Sequence, residues 1–322
     1  MALLEIKNLK AHFHTRKGVV KAVNGISYSL NPGETLGIVG ESGSGKSVSQ
    51  LSYLRLLPSP PLRIPEGEVL YRGENILTMS DDKLRALRGN KISMIFQEPM
   101  TSLNPYLTIG SQLIEPLVIH SKLSKKVAWK EACEALNRVG IPEAEKAMKV
   151  YPHEFSGGMR QRVMIAMALT TRPEVLIADE PTTALDVTVQ AQILEILKTI
   201  QKETQMAIIL ITHDLGVIAG ISDKVVVMYA GRVFEEAPVD TLFENSEHPY
   251  TRALLKSTPR IDISQEKIPV IGGTIPDLSQ LKTGCPFYER CDYRKDICQA
   301  EFPKVRKVSS VHESFCHVEN FK

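Results

Sequence analysis

The sequence predicts an α/β fold, a sheet with flanking helices that also carries a helical subdomain and a small loop-rich C-terminal extension. Three observations lead there. "TLGIVG", "EVLIAD" and "AIILIT" are short apolar runs, each beside a helical stretch, and buried strands alternating with helices make a sheet covered on both faces. Residues about 98–172 hold long amphipathic stretches such as "KKVAWKEACEALNRVG". Beyond about Arg260 the periodicity gives way to proline, glycine and cysteine. The expected division is a main domain over 1–258, with the helical subdomain inside it, and an extension over 259–322.

Composition sets the limits. A chain of 322 residues, 43% of them hydrophobic, can bury a full α/β core and a smaller second one. The net charge of +2, from 39 basic and 37 acidic residues, gives no electrostatic case for nucleic acid as the main partner. No apolar run approaches the roughly 18–20 residues that cross a bilayer. "MALLEIKNLKAHF" lacks the basic and apolar segments of a signal peptide. The expectation is a cytoplasmic chain whose membrane role comes through partners.

From the N-terminus, "LLEIKNLKAHF" and "NGISYSLNPGETLGIVG" alternate apolar and polar residues, with "NPGE" as a turn. "TLGIVG" then leads through glycines into a helix, "KSVSQLSYLRLL". Between strand and helix lies "GESGSGKS", which fits G-x-x-x-x-G-K-[ST]. Gly40, Glu41, Ser42, Gly43, Ser44 and Gly45 can turn their N–H groups round phosphates, Lys46 reaches the β and γ oxygens, and Ser47 offers a hydroxyl to Mg²⁺. Val48 continues into the helix, whose positive end faces the same anion. This motif by itself specifies only a nucleoside triphosphate.

"EVLIADEP" supplies the second part. Four apolar residues carry a strand to Asp179, placed to hold Mg²⁺ directly or through water, and Glu180 follows where a carboxylate polarises an attacking water. In "EFSGGMRQRVMIAMAL", Ser156 is a good N-cap, while Gly157 and Gly158 let a phosphate approach an apolar helix. One triphosphate cannot use both anion sites of one chain. The simplest reconciliation is a dimer in which the second site serves the partner's γ-phosphate.

The ordered set "GESGSGKS", "FQEP", "SGGMRQR", "IADEPTTALD", "ITHD" resembles the ABC-type ATPases over roughly residues 1–255. That resemblance implies a P-loop core with a mixed sheet, ATP and Mg²⁺ as ligands, and ATP hydrolysis. It implies that Gln97 touches Mg²⁺ or water and senses a transmembrane partner. Ser156, Gly157 and Gly158 would cap the opposing γ-phosphate, Asp186 would cross the dimer interface, and His213 would hold the γ-phosphate. Phe13, on an early strand, matches the aromatic that stacks on adenine; a lone Phe there is as often core. A histidine ending an apolar strand is more often a cap than a catalyst, but its place after "IILIT" matches the family's switch histidine.

Met159 stands where the commonest signature has Gln. "SGGMRQRVMIAMAL", "GESGSGKSVS", "FQEPMTSLNP" and "EHPYTRALL" instead resemble the ATPases of oligopeptide, dipeptide and nickel importers. That subgroup implies a second, non-identical ATPase subunit, two transmembrane permease subunits and, indirectly, an extracytoplasmic peptide-binding protein, with this chain on the inner face of the membrane. Pro249 suits the first turn of a helix and His248 its cap, so "HPYTRALL" is assigned no chemistry. ABC-type ATPases of DNA repair share the motifs, but place long coiled coils or zinc modules between phosphate loop and signature; no sustained heptads occur here.

Five cysteines remain to be explained. Cys133 sits at helical spacing among apolar residues and reads as an ordinary buried thiol. Cys285, Cys291, Cys298 and Cys316 follow the spacing C-x5-C-x6-C-x17-C. A reducing cytoplasm argues against disulfides, and zinc sites usually contain a tight C-x2-4-C pair, absent here. Iron–sulfur clusters accept more varied spacings. His312 and His317 are possible further ligands. "CPFYERC" and the following cysteines also resemble the peptide-importer subgroup, which implies a [4Fe–4S] cluster; zinc and free thiols remain the alternatives.

Overall fold

The computed structural model describes residues 2–97, 102–183, 186–258, 269 and 271–319. The boundaries expected at 98 and 259, the middle of "FQEPMTSLNP", and Ala184 and Leu185 of "TTALD" lie outside the described residues. The chain packs into two compact units. One comprises Met1–Asn31, Thr35–Thr78 and Ile211–Lys322; the other comprises Pro32–Glu34 and Met79–Leu210.

In the first unit, strands Leu4–Thr15 and Gly18–Leu30 form an antiparallel hairpin, and Leu62–Tyr71 pairs with the free side of Leu4–Thr15. Leu4, Ile6, Leu9 and Ala11 are buried, so the alternation slips one place between Ile6 and Leu9. The slip is a bulge in which Asn8 takes a left-handed φ of 45°. A second sheet has Thr35–Val39 parallel to Lys224–Tyr229, which runs antiparallel to Arg232–Pro238. All five residues of "TLGIV" are buried, as a strand covered on both faces requires.

Two differences from expectation concern this unit. The helix expected over "KSVSQLSYLRLL" runs only from Lys46 to Tyr53. Arg55 turns left-handed, at φ 49°, and Pro58 follows, so the apolar "LRLL" belongs to the exit loop. The cysteine tail, expected to be loop, contains two short strands, Arg306–Lys307 and Glu313–Ser314. The second extends the sheet by pairing Ser314 with Glu235 and Glu313 with Glu236. Two-residue strands are too short to leave a period in the sequence.

In the second unit, Ile92–Ile95 runs parallel to Val175–Asp179, with Ala207–Ile211 on the latter's other side. Helices Ile109–His120, Lys125–Arg138, Ala144–Ala147 and Gly157–Leu169 make up the helical stretch. Thr108 caps the first through its hydroxyl, which accepts from Ser111 N–H at 3.3 Å. Helix Lys125–Arg138 buries Ala128, Ala132, Cys133 and Leu136, one face of a 3.6-residue period. Complete burial of Leu136 contributes about 2 kcal/mol. Cys133 is packing, as its surroundings predicted: burial, with the Glu145 carboxylate, raises its thiol pKa. Among the described residues no helix is long and apolar enough to cross a membrane.

Candidate nucleotide site and cysteine tail

The phosphate loop follows from where its glycines sit. Gly40, Gly43 and Gly45 have φ of 152°, 81° and 95°. A Cβ on Gly40 would lie 2.1 Å from Met228 O, and one on Gly45 would lie 2.2 Å from Ala22 O. Only glycine lets the loop press so close to the neighbouring backbone. Lys46, 6% exposed, turns into the curl and donates from Nζ to Gly40 O at 2.7 Å and Glu41 O at 3.0 Å. Gly45 caps helix Lys46–Tyr53 with no side-chain hydrogen bond, and the positive end of the helix faces the loop. Ser44 Oγ is buried without a hydrogen-bond partner. A helix start, a glycine cradle and an inward ammonium fit a triphosphate.

Beside the loop, Thr212 N–H donates to Ile38 O at 3.2 Å, which ties the residue before His213 to the strand feeding the loop. The helix after it, Leu215–Ile221, is capped by Asp214, whose Oδ1 accepts from Gly216 and Val217 N–H. His213 is exposed and is not the cap. Phe13 is half-buried, opposite Val20 and Leu62 in the antiparallel sheet.

The second unit carries the two carboxylates expected to serve Mg²⁺ and water. Val175–Asp179 is wholly buried and delivers Asp179, 4% exposed, at its end. Glu180 takes a left-handed φ of 46°, and its Oε2 accepts from Gln97 Nε2 at 3.0 Å and Thr183 Oγ1 at 2.8 Å. Thus Gln97, expected to contact Mg²⁺ or water, holds Glu180. Thr183 completes that arrangement, and the sequence reading missed it; its place three residues after Glu180 is the only local signal.

The signature helix Gly157–Leu169 begins as predicted. Ser156 Oγ accepts from Met159 N–H at 3.3 Å. A Cβ on Gly157 would meet nothing within 4 Å, so its backbone face is open, whereas one on Gly158 would lie 3.2 Å from Val189 Cγ1. Asp186 caps helix Val187–Thr204, its Oδ1 accepting from Val189 N–H at 2.9 Å.

In the tail, Cys285, Cys291, Cys298 and Cys316 all line one small cavity, with His248 and His317 also on its wall. All five cysteines of the chain are free thiols. Burial pushes Cys285 up to about 12 and Cys316 up to about 11, with the other thiols adding to the shift. Unaided, these groups stay protonated; a bound cation is what would favour their thiolates. Among the described residues, no three or more His, Cys, Asp or Glu side chains are arranged to hold a single metal ion. His312 points elsewhere, its Nε2 2.8 Å from the buried Glu235 Oε1. His248 caps helix Pro249–Lys256 by accepting from Tyr250 N–H at Nδ1, as "HPYTRALL" predicted.

Comparison with known proteins places the chain in a family. Residues 23–183 match the family described as "ABC transporter", and residues 234–298 match "Oligopeptide/dipeptide transporter, C-terminal region". The chain is 49% identical over 318 residues to the dipeptide transport ATP-binding protein DppD of Bacillus subtilis, covering 99% of this chain and 95% of that one. It is 53% identical over 302 residues to the oligopeptide transport ATP-binding protein OppD of Escherichia coli, covering 94% and 89%. The dimeric structure of the bacterial ABC transporter cassette MJ0796 superposes with a TM-score of 0.66 at 29% identity, over 73% of this chain and 98% of that one. With residues 23–183 matched to that family and two transport ATP-binding proteins 49% and 53% identical over nearly the whole chain, the chain belongs to the ABC transporter family.

Proposed function

We infer that the chain is the ATP-binding and ATP-hydrolysing subunit of a membrane importer of peptides. One observation carries this: a glycine loop closed round Lys46 and a Glu180 carboxylate held by two hydrogen bonds, in a chain 49% identical to a dipeptide-transport ATPase over 99% of its length. The N–H groups of Gly43 to Ser47 and the Lys46 ammonium bind the β and γ phosphates, while Ser47 and Asp179 are the ligands for Mg²⁺. Mg²⁺, when bound, spreads the charge of the phosphates. Glu180 orients a water and takes its proton as the water oxygen bonds to the γ phosphorus and the bridging oxygen leaves with ADP. Gln97 holds that carboxylate in place. His213 holds the γ-phosphate, and Phe13 stacks on adenine.

Ser156, Gly157 and Gly158 cap the γ-phosphate bound to an opposing ATPase subunit, and Asp186 lies at that interface. The open face of Gly157 supports this, as does the dimeric state of the MJ0796 cassette. The opposing subunit is a non-identical relative. Two permease subunits and an extracytoplasmic peptide-binding protein complete the importer, with this chain on the inner face of the membrane. The four tail thiols hold a [4Fe–4S] cluster that fixes a loop-rich segment. Each thiolate of a cluster binds a different iron, so its ligands stand further apart than those round one zinc ion. The one cavity that all four thiols line supports that reading.

Glu180→Gln tests the hydrolytic assignment: ATP affinity stays within about twofold and turnover falls by about 10²–10⁴. Hydrolysis at the parent rate in the dimerised variant would remove Glu180 from the mechanism. Protein purified without oxygen is expected to carry about four irons and four sulfides per chain. Stoichiometric zinc, or no metal, would overturn the cluster and leave the ATPase reading standing.

A further inference from the structure

The cysteine tail does more than pack against its sheet, because one of its side chains reaches the phosphate loop. Arg290 ends the short 3₁₀ turn Tyr288–Arg290, immediately before Cys291. Its Nη1 lies 3.1 Å from both Glu41 Oε1 and Glu41 Oε2 and 3.0 Å from Tyr229 Oη. Its Nε donates to Gly272 O at 2.8 Å and its Nη2 to Ile271 O at 3.3 Å. The Arg290 side chain is 6% exposed and that of Glu41 is 28% exposed. A guanidinium this buried, with each of its nitrogens hydrogen-bonded, holds its carboxylate in a defined position.

Glu41 is the second residue of the phosphate loop, and four separate groups hold it. Its N–H donates to Tyr250 Oη at 2.9 Å, and its side chain is taken by Arg290. Its carbonyl accepts from Lys46 Nζ at 3.0 Å and from Ser44 N–H at 3.1 Å. The same turn brings Phe287, 2% exposed, against Tyr229 and Tyr250, with ring centroids 5.4 Å and 5.3 Å apart. The turn is braced in its own segment, since Tyr288 N–H donates to Cys285 O and Cys285 N–H to Cys298 O. The tail therefore reaches the residue whose carbonyl helps to fix the lysine that receives phosphate.

We propose that Arg290 is a positioning residue of the nucleotide site: through Glu41 it fixes the entry of the phosphate loop, and so sets affinity for ATP and ADP. The proposal rests on the ATPase reading above. It makes the C-terminal extension part of the nucleotide site. Arg290 touches no phosphate; it acts by holding Glu41, and with it the carbonyl that Lys46 contacts.

The test uses the full-length chain with Mg-ATP and ADP as probes. Arg290→Met and Glu41→Gln are each expected to weaken nucleotide binding by about tenfold, the loss of one charge-assisted contact. The double variant is expected to bind no worse than either single one, because both remove the same pair. Arg290→Lys, which keeps the charge without the planar fork, falls between parent and Arg290→Met. Amide exchange quickens in the peptide covering residues 40–46 and is unchanged over Glu313–Ser314, where general loosening of the tail would quicken both. If Arg290→Met folds poorly, Arg290→Lys and Glu41→Gln give the same comparison. Equal affinity in parent and variants, or additive losses, overturns the proposal and leaves the ATPase reading intact. A parent chain that binds no nucleotide overturns that reading, and this proposal with it.

Discussion

Replacing Gly45 with alanine adds one methyl group at the start of helix Lys46–Tyr53. The new Cβ would lie 2.2 Å from Ala22 O and 3.4 Å from Gly231 Cα. Backbone atoms on that side cannot rotate away as a side chain could. Asn24 N–H donates to Gly231 O at 2.7 Å and Gly231 N–H to Ser44 O at 2.9 Å, so loop, strand and turn are tied together. Relief needs a backbone shift of about 1 Å, an overpacking cost of about 1–3 kcal/mol. The φ of 95° adds about 1–2 kcal/mol for any residue with a Cβ. Together these give about 2–5 kcal/mol. Gly43→Ala is the control, because its φ of 81° carries the same conformational cost while its Cβ would meet nothing within 4 Å. Denaturant unfolding of both full-length variants without nucleotide should place Gly45→Ala about 2 kcal/mol below Gly43→Ala. Equal stability would refute the claim that contact with Ala22, and not dihedral strain alone, demands glycine at 45.

Two further outcomes are expected. Thr183→Val removes the hydroxyl that donates to Glu180 Oε2 at 2.8 Å; turnover should fall about tenfold, the worth of one hydrogen bond to a charged group, with ATP affinity unchanged. Burial pushes His248 down to about 3, so its folded form stays neutral while the unfolded chain gains a proton below about pH 6.5. Its contribution to stability is complete above pH 6.5 and is lost as pH falls towards 3, by about 1.4 kcal/mol per pH unit. Between pH 7 and pH 5 the parent should lose about 2 kcal/mol more than His248→Asn, which keeps a capping side chain.

Much of the nucleotide site was legible because it is built from local rules. The positive φ of Gly43 and Gly45, the Ser156 cap and the buried strand ending at Asp179 all follow from residues within a few positions of one another. The His213 cap alternative was also settled locally, since Asp214 is the better cap and takes that role. The sequence after the loop predicts too long a helix because "LRLL" is as apolar as a helix face and Arg55, which turns left-handed there, leaves no compositional mark. The tail strands were too short to have a period. The Thr183 contact depends on a left-handed Glu180, which no sequence pattern of an L-residue announces. Arg290, within "CPFYERC", carries no local signal of its contact, because its partner Glu41 is 249 positions away along the chain.

That distance also bears on the order in which the protein is finished. Glu41 and Arg290 are separated by 249 positions, so the loop leaves the ribosome long before its clamp exists. At roughly 5–20 residues per second the interval is tens of seconds. During that time the strand, the glycines and Lys46 are present while the entry to the loop is held only from one side. On the role proposed for Arg290, competence to grip nucleotide is acquired near the end of synthesis, and a chain cut short before residue 290 would carry the glycine loop and Lys46 without that fastening.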